Sequence, residues 1–172
     1  MHVTLVAGAM REVDSRPFTS AGITLHSVAL PGATAWREVA RAAWSAVRAI
    51  PYVCYGRHDR AAVRTALSRE IALHSPSVLY LDHLDSLAFA GLAPAGTRRV
   101  IDLHNVYSQL IERNAGERSG ATAAYLRREA RLLAGAERRA TAATDALFAV
   151  SESDQQYFRR FGRAPVYVVP NG

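Results

Sequence analysis

The chain contains no lysine: all 21 of its basic side chains are arginine, set against 15 acidic ones, for a formal charge of +6 over 172 residues. This lack points to an Ala/Arg-favouring coding bias rather than to a mechanism. There is one cysteine, Cys54, so an internal disulfide is excluded, which suits a reducing cytoplasm. A small buried hydrophobe is the favoured reading of Cys54, ahead of a catalytic thiol. No apolar run approaches the roughly 20 residues needed to span a bilayer. The opening Met1–Gly8 is too short for a secretory leader and has no basic residue ahead of its apolar run. No strand-like run is followed by a Gly-x-Gly-x-x-Gly turn, which counts against dinucleotide chemistry. An aromatic-rich ribonucleoprotein motif, Cys/His zinc spacing and a compact basic arm are also lacking, so nucleic acid is not an expected partner.

With 49% of its residues apolar, the chain can fold as one domain, residues 1–172, around a real core. Val3 to Ala7 reads as a strand, Met10 to Ala21 as a polar connection, and Ile23 to Leu30 as a half-buried strand closed by Pro31-Gly32. Ala35 to Ile50 carries Trp36, Val39, Ala40, Ala43, Trp44 and Val47 at helical spacing. Both tryptophans are expected in the core or on a partly buried face. After an irregular Tyr52–Gly56 bridge, Asp59 is placed to cap a helix running to about His74, with Val63, Leu67, Ile71 and Ala72 inward.

From Val78 the pattern alternates. Strands are expected at Val78–Leu81, Arg99–Leu103, Ala146–Val150 and Pro165–Val169. Helices are expected at Asp85–Leu92, Val106–Arg113, Thr122–Ala143 and Ser153–Phe161. Such alternation implies a parallel sheet with helices on both faces, a three-layer Rossmann-like α/β domain. In the long helix Leu126, Ala130, Leu133 and Ala140 mark the apolar side. Arg127-Arg128-Glu129 and Glu137-Arg138-Arg139 read as solvated faces.

Three strand-like runs end in polar clusters: Asp82-His83, Asp102-Leu-His104-Asn105, and Ser151-Glu152-Ser153-Asp154. A parallel sheet delivers all its strand ends to one edge, where ligands bind, so these clusters are expected to meet. Ser151 and Asp154 have the spacing of a helix cap, and the same helix start suits phosphate. Asn105 could cap the following helix or hold His104. Asp-His occurs twice and hints at a metal, but further ligands are not evident, and none is expected.

In their order and spacing, four segments resemble the acceptor-side, amino-terminal half of a GT-B glycosyltransferase of glycosyltransferase family 4. They are Val78-Leu-Tyr-Leu-Asp82-His83-Leu84, Val100-Ile-Asp-Leu-His104-Asn105-Val106, Glu137-Arg-Arg-Ala followed by Ala143 to Asp154, and Val166-Tyr-Val-Val-Pro170-Asn171-Gly172. Against that pattern the first strand-helix unit and the nucleotide-binding second domain are missing. The chain therefore reads as a fragment, with residues 170–172 starting the linker and little activity expected of it alone.

The resemblance implies retaining transfer of a hexosyl group from a nucleoside-diphosphate sugar to a glycan or lipid-linked acceptor, without cofactor or catalytic metal. It implies a catalytic role for His104 near the donor sugar. Asp82, His83, Asn105, Ser151 and Glu152 become substrate contacts, and Asn171 and Gly172 the hinge. A cytoplasmic location follows, and the arginine faces are compatible with peripheral attachment to an acidic inner membrane. The rival reading is a non-catalytic half that binds phosphosugar or a partner chain.

Overall fold

A computed structural model describes residues 2–11, 13–30, 32, 34–52 and 58–170. The expectations for Cys54, for most of the Tyr52–Gly56 bridge and for the Asn171–Gly172 hinge fall outside these residues. The fold is α/β, and all its strand pairs are parallel. The strands form two sheets. In one, β1 (Val3–Ala9) pairs with β2 (Ile23–Ala29). The other has the order β3 (Val78–Asp82), β4 (Arg98–Leu103), β5 (Ala146–Ala149), β6 (Val166–Val168).

The helices are α1 (Arg16–Ser20), α2 (Ala35–Val47), α3 (Ala61–His74), α4 (Tyr107–Gly116), α5 (Gly120–Ala143) and α6 (Glu152–Arg159). A 3₁₀ segment, Leu84–Leu92, links β3 to β4. Helix α1 lies inside what reads in sequence as a polar connection; Pro17 in its first turn suits a helix start, where a missing N–H costs nothing. Asp59 does not cap α3. Arg60 holds the cap position without a side-chain bond, and the Asp59 carboxylate accepts from Arg64 at 2.9 Å. Val63 and Ile71 are buried as expected, whereas Ala72 is exposed.

One core runs beneath the four-stranded sheet. Leu79, Leu81, Ile101, Leu103, Leu147, Ala149 and Val166 alternate along the strands toward it, as period-two burial requires. They meet Ala130, Leu133, Ala136 and Ala140 of α5 and Phe158 of α6. The opposite side of the same strands carries Tyr80, Phe148 and Tyr167, with ring centroids 6.3 and 6.2 Å apart in sequence across the sheet. Tyr80 and Tyr167 are about half exposed.

Two sequence expectations are reversed by burial. Trp36, Val39, Trp44 and Val47 of α2 are 67%, 69%, 62% and 79% exposed, while Glu38, Arg41, Ala42 and Ser45 face the protein. The helix is held by polar ties: Tyr52 and Arg60 both bond Glu38, and the Ser45 hydroxyl donates to the Ile50 carbonyl at 2.5 Å. Apolar spacing groups these side chains on one face, but that face looks outward. Conversely, Glu129 and Glu137 of α5 are buried rather than solvated. They stand four residues to either side of Leu133, and this spacing puts them on its face.

Candidate functional site

The site is built from the carboxyl ends of β3 and β4. Parallel register sets Asp82 beside Asp102 and Leu103 beside Ala149. His83 and His104 each follow directly, so both imidazoles emerge at the same edge. The backbone N–H of His83 extends the ladder by donating to the Asp102 carbonyl at 3.0 Å. The His83 carbonyl then accepts from the Ser86 hydroxyl at 2.7 Å. Between these ties His83 adopts φ 63° and ψ 166°, a region that is nearly confined to glycine and costs other residues on the order of 1–3 kcal/mol.

The strained turn lays the His83 ring against that of His104, with centroids 4.1 Å apart and planes inclined by 48°. His104 Nε2 lies 3.5 Å from Asp82 Oδ1 and 3.6 Å from Asp102 Oδ2. His83 Nε2 lies 3.8 Å from Asp82 Oδ1, and His83 Nδ1 is buried without a hydrogen-bond partner. One donor atom each from Asp82, His83 and His104 falls within 4.8 Å of the others. Ligands that looked insufficient for a metal in sequence are thus gathered by the fold. Behind them the Tyr80 hydroxyl donates to Asp102 Oδ2 at 2.5 Å. Burial, then the adjoining Asp102 carboxylate, raise the Tyr80 pKa well above the usual phenol value.

Ser151 reaches the same edge on the next strand, through the pairing of Leu103 with Ala149, but its hydroxyl is engaged locally. It accepts from the Asp154 N–H at 3.2 Å and donates to Asp154 Oδ2 at 2.8 Å, forming the cap that its spacing suggests. Glu152 is exposed in the first turn of α6. Asn105 neither caps α4 nor holds His104. Val106 is the cap residue, and the Asn105 side chain is exposed.

Helix α4 is capped from a distance, which sequence reasoning missed. The Glu137 carboxylate of α5 accepts from the Ser108 N–H at 2.9 Å, the Ser108 hydroxyl at 2.6 Å and the Tyr157 hydroxyl at 2.8 Å. Burial raises the Glu137 pKa from its ordinary 4.5, with these donors partly opposing the rise. Tyr157 is pushed up to about 12, mainly by burial. One carboxylate therefore joins α4, α5 and α6 directly behind the strand edge.

A protein-family model described as Glycosyltransferase Family 4 matches residues 15–172. No curated protein matches the chain.

Proposed function

The chain belongs to glycosyltransferase family 4, and from that premise we propose that it serves retaining transfer of a hexosyl group from a nucleoside-diphosphate sugar to a glycan or lipid-linked acceptor. The observation that carries this reading is the meeting of Asp82, His83 and His104 at the carboxyl edge of the parallel sheet, where α/β folds bind ligands. His104, about a quarter exposed between two carboxylates, hydrogen-bonds a donor-sugar hydroxyl or an oxygen of the departing diphosphate. Asp82 and His83, more open at the rim, contact the acceptor. The start of α6 beside Ser151, with Glu152 in its first turn, borders the diphosphate. The chemistry rests on stabilising the leaving diphosphate and the oxocarbenium-like transition state.

The test is release of free nucleoside diphosphate from uridine- and guanosine-diphosphate hexoses, with and without candidate acceptors, by an intact protein that carries this segment. His104→Ala lowers turnover by about a hundredfold or more while the melting temperature stays unchanged. Wild-type turnover in a well-folded variant removes His104 from the mechanism. Tight binding of the sugar nucleotide with no turnover by either protein favours the binding-only reading.

The proposal includes peripheral contact with an acidic membrane at the cytoplasmic face, seated on α2. No helix among the described residues is long and apolar enough to cross a membrane. What supports surface contact is the outward row of Trp36, Val39, Trp44 and Val47, with the Arg37 and Arg48 guanidinium groups 5.5 and 5.4 Å from the two indole rings. Trp and Arg together on an exposed helix face suit the boundary between anionic headgroups and acyl chains.

A further inference from the structure

We infer that Asp82, His83 and His104 form a binding site for a divalent transition cation of the zinc class, which would engage the same side chains that the proposed sugar transfer uses. The contacts among these side chains fail as hydrogen bonds. Within the three, Asp82 Oδ1 lies 3.5 Å from His104 Nε2 and 3.8 Å from His83 Nε2, separations beyond the roughly 3.2 Å limit of a good N–H···O bond. They are close to the edge of a tetrahedron whose ligand bonds measure about 2.1 Å, an edge of about 3.4 Å. The donor set of two imidazoles and one carboxylate selects zinc, cobalt or nickel over magnesium and calcium, which take oxygen ligands. Three protein ligands leave a fourth position open, as in zinc sites that bind an exchangeable oxygen.

The backbone of His83 is the independent observation. A residue other than glycine is held at φ 63°, ψ 166° by main-chain bonds on both sides. Hydrogen bonding by its own side chain does not offset that strain, because Nδ1 is buried and unpartnered and Nε2 meets Asp82 only at 3.8 Å. What the conformation achieves is to bring a second imidazole to 4.1 Å from the first. Two like rings gain little from such an approach in the absence of a shared cation. Asp102, 3.6 Å from His104 Nε2 and itself bound by the Tyr80 hydroxyl, adds negative charge at the rim. The molecule also holds a competing pair: His26 and His74 each lie 3.4 Å from a Glu70 oxygen.

The whole chain, first stripped with chelator, is titrated with Zn²⁺ by calorimetry and with Co²⁺ by visible absorption, with no sugar nucleotide present. One equivalent binds, and excess Mg²⁺ does not displace it. His104→Ala and Asp82→Asn each weaken binding at least tenfold. His83→Gly is the sharpest variant, because glycine adopts this backbone freely: it keeps or raises the melting temperature and loses the metal. A His26→Ala/His74→Ala double variant binds as the parent does. Binding that survives His83→Gly, that disappears with His26 and His74, or that fails to occur at micromolar Zn²⁺ overturns the inference. Because the readout is metal binding itself, such a failure leaves the sugar-transfer reading standing, and loss of turnover leaves this one standing.

Discussion

The two parallel sheets share a hydrogen-bonding pattern and differ in almost everything else. In β3–β6, every strand contributes at least one residue that is nearly or wholly removed from water. In β1–β2, no residue is fully buried, and Val3 and Leu5 are each 37% exposed. The second sheet is attached through Val6, Val28 and Leu30, which are partly buried against the core. Strand pairing alone therefore does not make a core; a face of the sheet buried against helices does, as α5 and α6 bury the inner face of β3–β6. The histidine-carboxylate cluster is fixed at the end of the densely packed sheet, and α2, which carries the exposed tryptophans, ties to α5 where Arg128 donates to the Ala46 carbonyl at 2.9 Å.

Truncation should separate the halves most clearly. Leu103→Ala or Leu147→Ala, both at fully buried sites, should cost about 2–5 kcal/mol in denaturant unfolding. Leu5→Ala in β1 should cost less than about 1 kcal/mol. Equal losses would mean that the two sheets share one cooperative core after all.

Next in size is Glu137. Its removal as Glu137→Ala strands buried donors from Ser108 and Tyr157, for a loss of about 2–3 kcal/mol. Its pKa is raised in the fold, so the folded protein holds this proton more tightly than the unfolded chain does. The stabilisation is complete below the ordinary value of 4.5 and is lost as pH rises through the higher folded value. Glu137→Gln should flatten that part of the stability–pH curve; an unchanged slope would assign it to another group.

Two glycines give a smaller and cleaner contrast. A methyl group at Gly162 meets the Thr141 carbonyl oxygen, Cβ and Oγ1 at 2.9 Å, and the backbone there cannot give way. At Gly8 the nearest atom, at 2.8 Å, is the end of the Leu30 side chain. Gly162→Ala should cost about 1–3 kcal/mol, and Gly8→Ala distinctly less. Smallest for stability is Trp36→Ser/Trp44→Ser, within about 0.5 kcal/mol per site, yet sedimentation with phosphatidylglycerol vesicles should be abolished. Retained sedimentation would move membrane contact away from α2.

Much of the densely packed half was legible in sequence, because strand-like and helical runs alternate from Val78 onward and three of the four strands end in a polar cluster. The meeting of Asp82, His83 and His104 followed from parallel topology. What stayed hidden depends on three-dimensional context. Periodicity groups Trp36 with Trp44 on one face without saying where that face points. Glu129 and Glu137 look like surface charges until α5 is packed, although their spacing from Leu133 was a usable signal. The separation of β1–β2 from β3–β6 is a matter of pairing, which local sequence does not encode. The His83 backbone carried no glycine to announce it.

The distant cap on α4 bears on how this edge meets charged ligands. Free amides at a helix start attract anions, and α4 begins just beyond His104. Those amides already answer to the chain's own Glu137. A diphosphate arriving here would find that turn electrically satisfied and face repulsion from the carboxylate behind it. The start of α4 is thus a seat the protein has taken for itself, as the start of α6 is through Ser151 and Asp154.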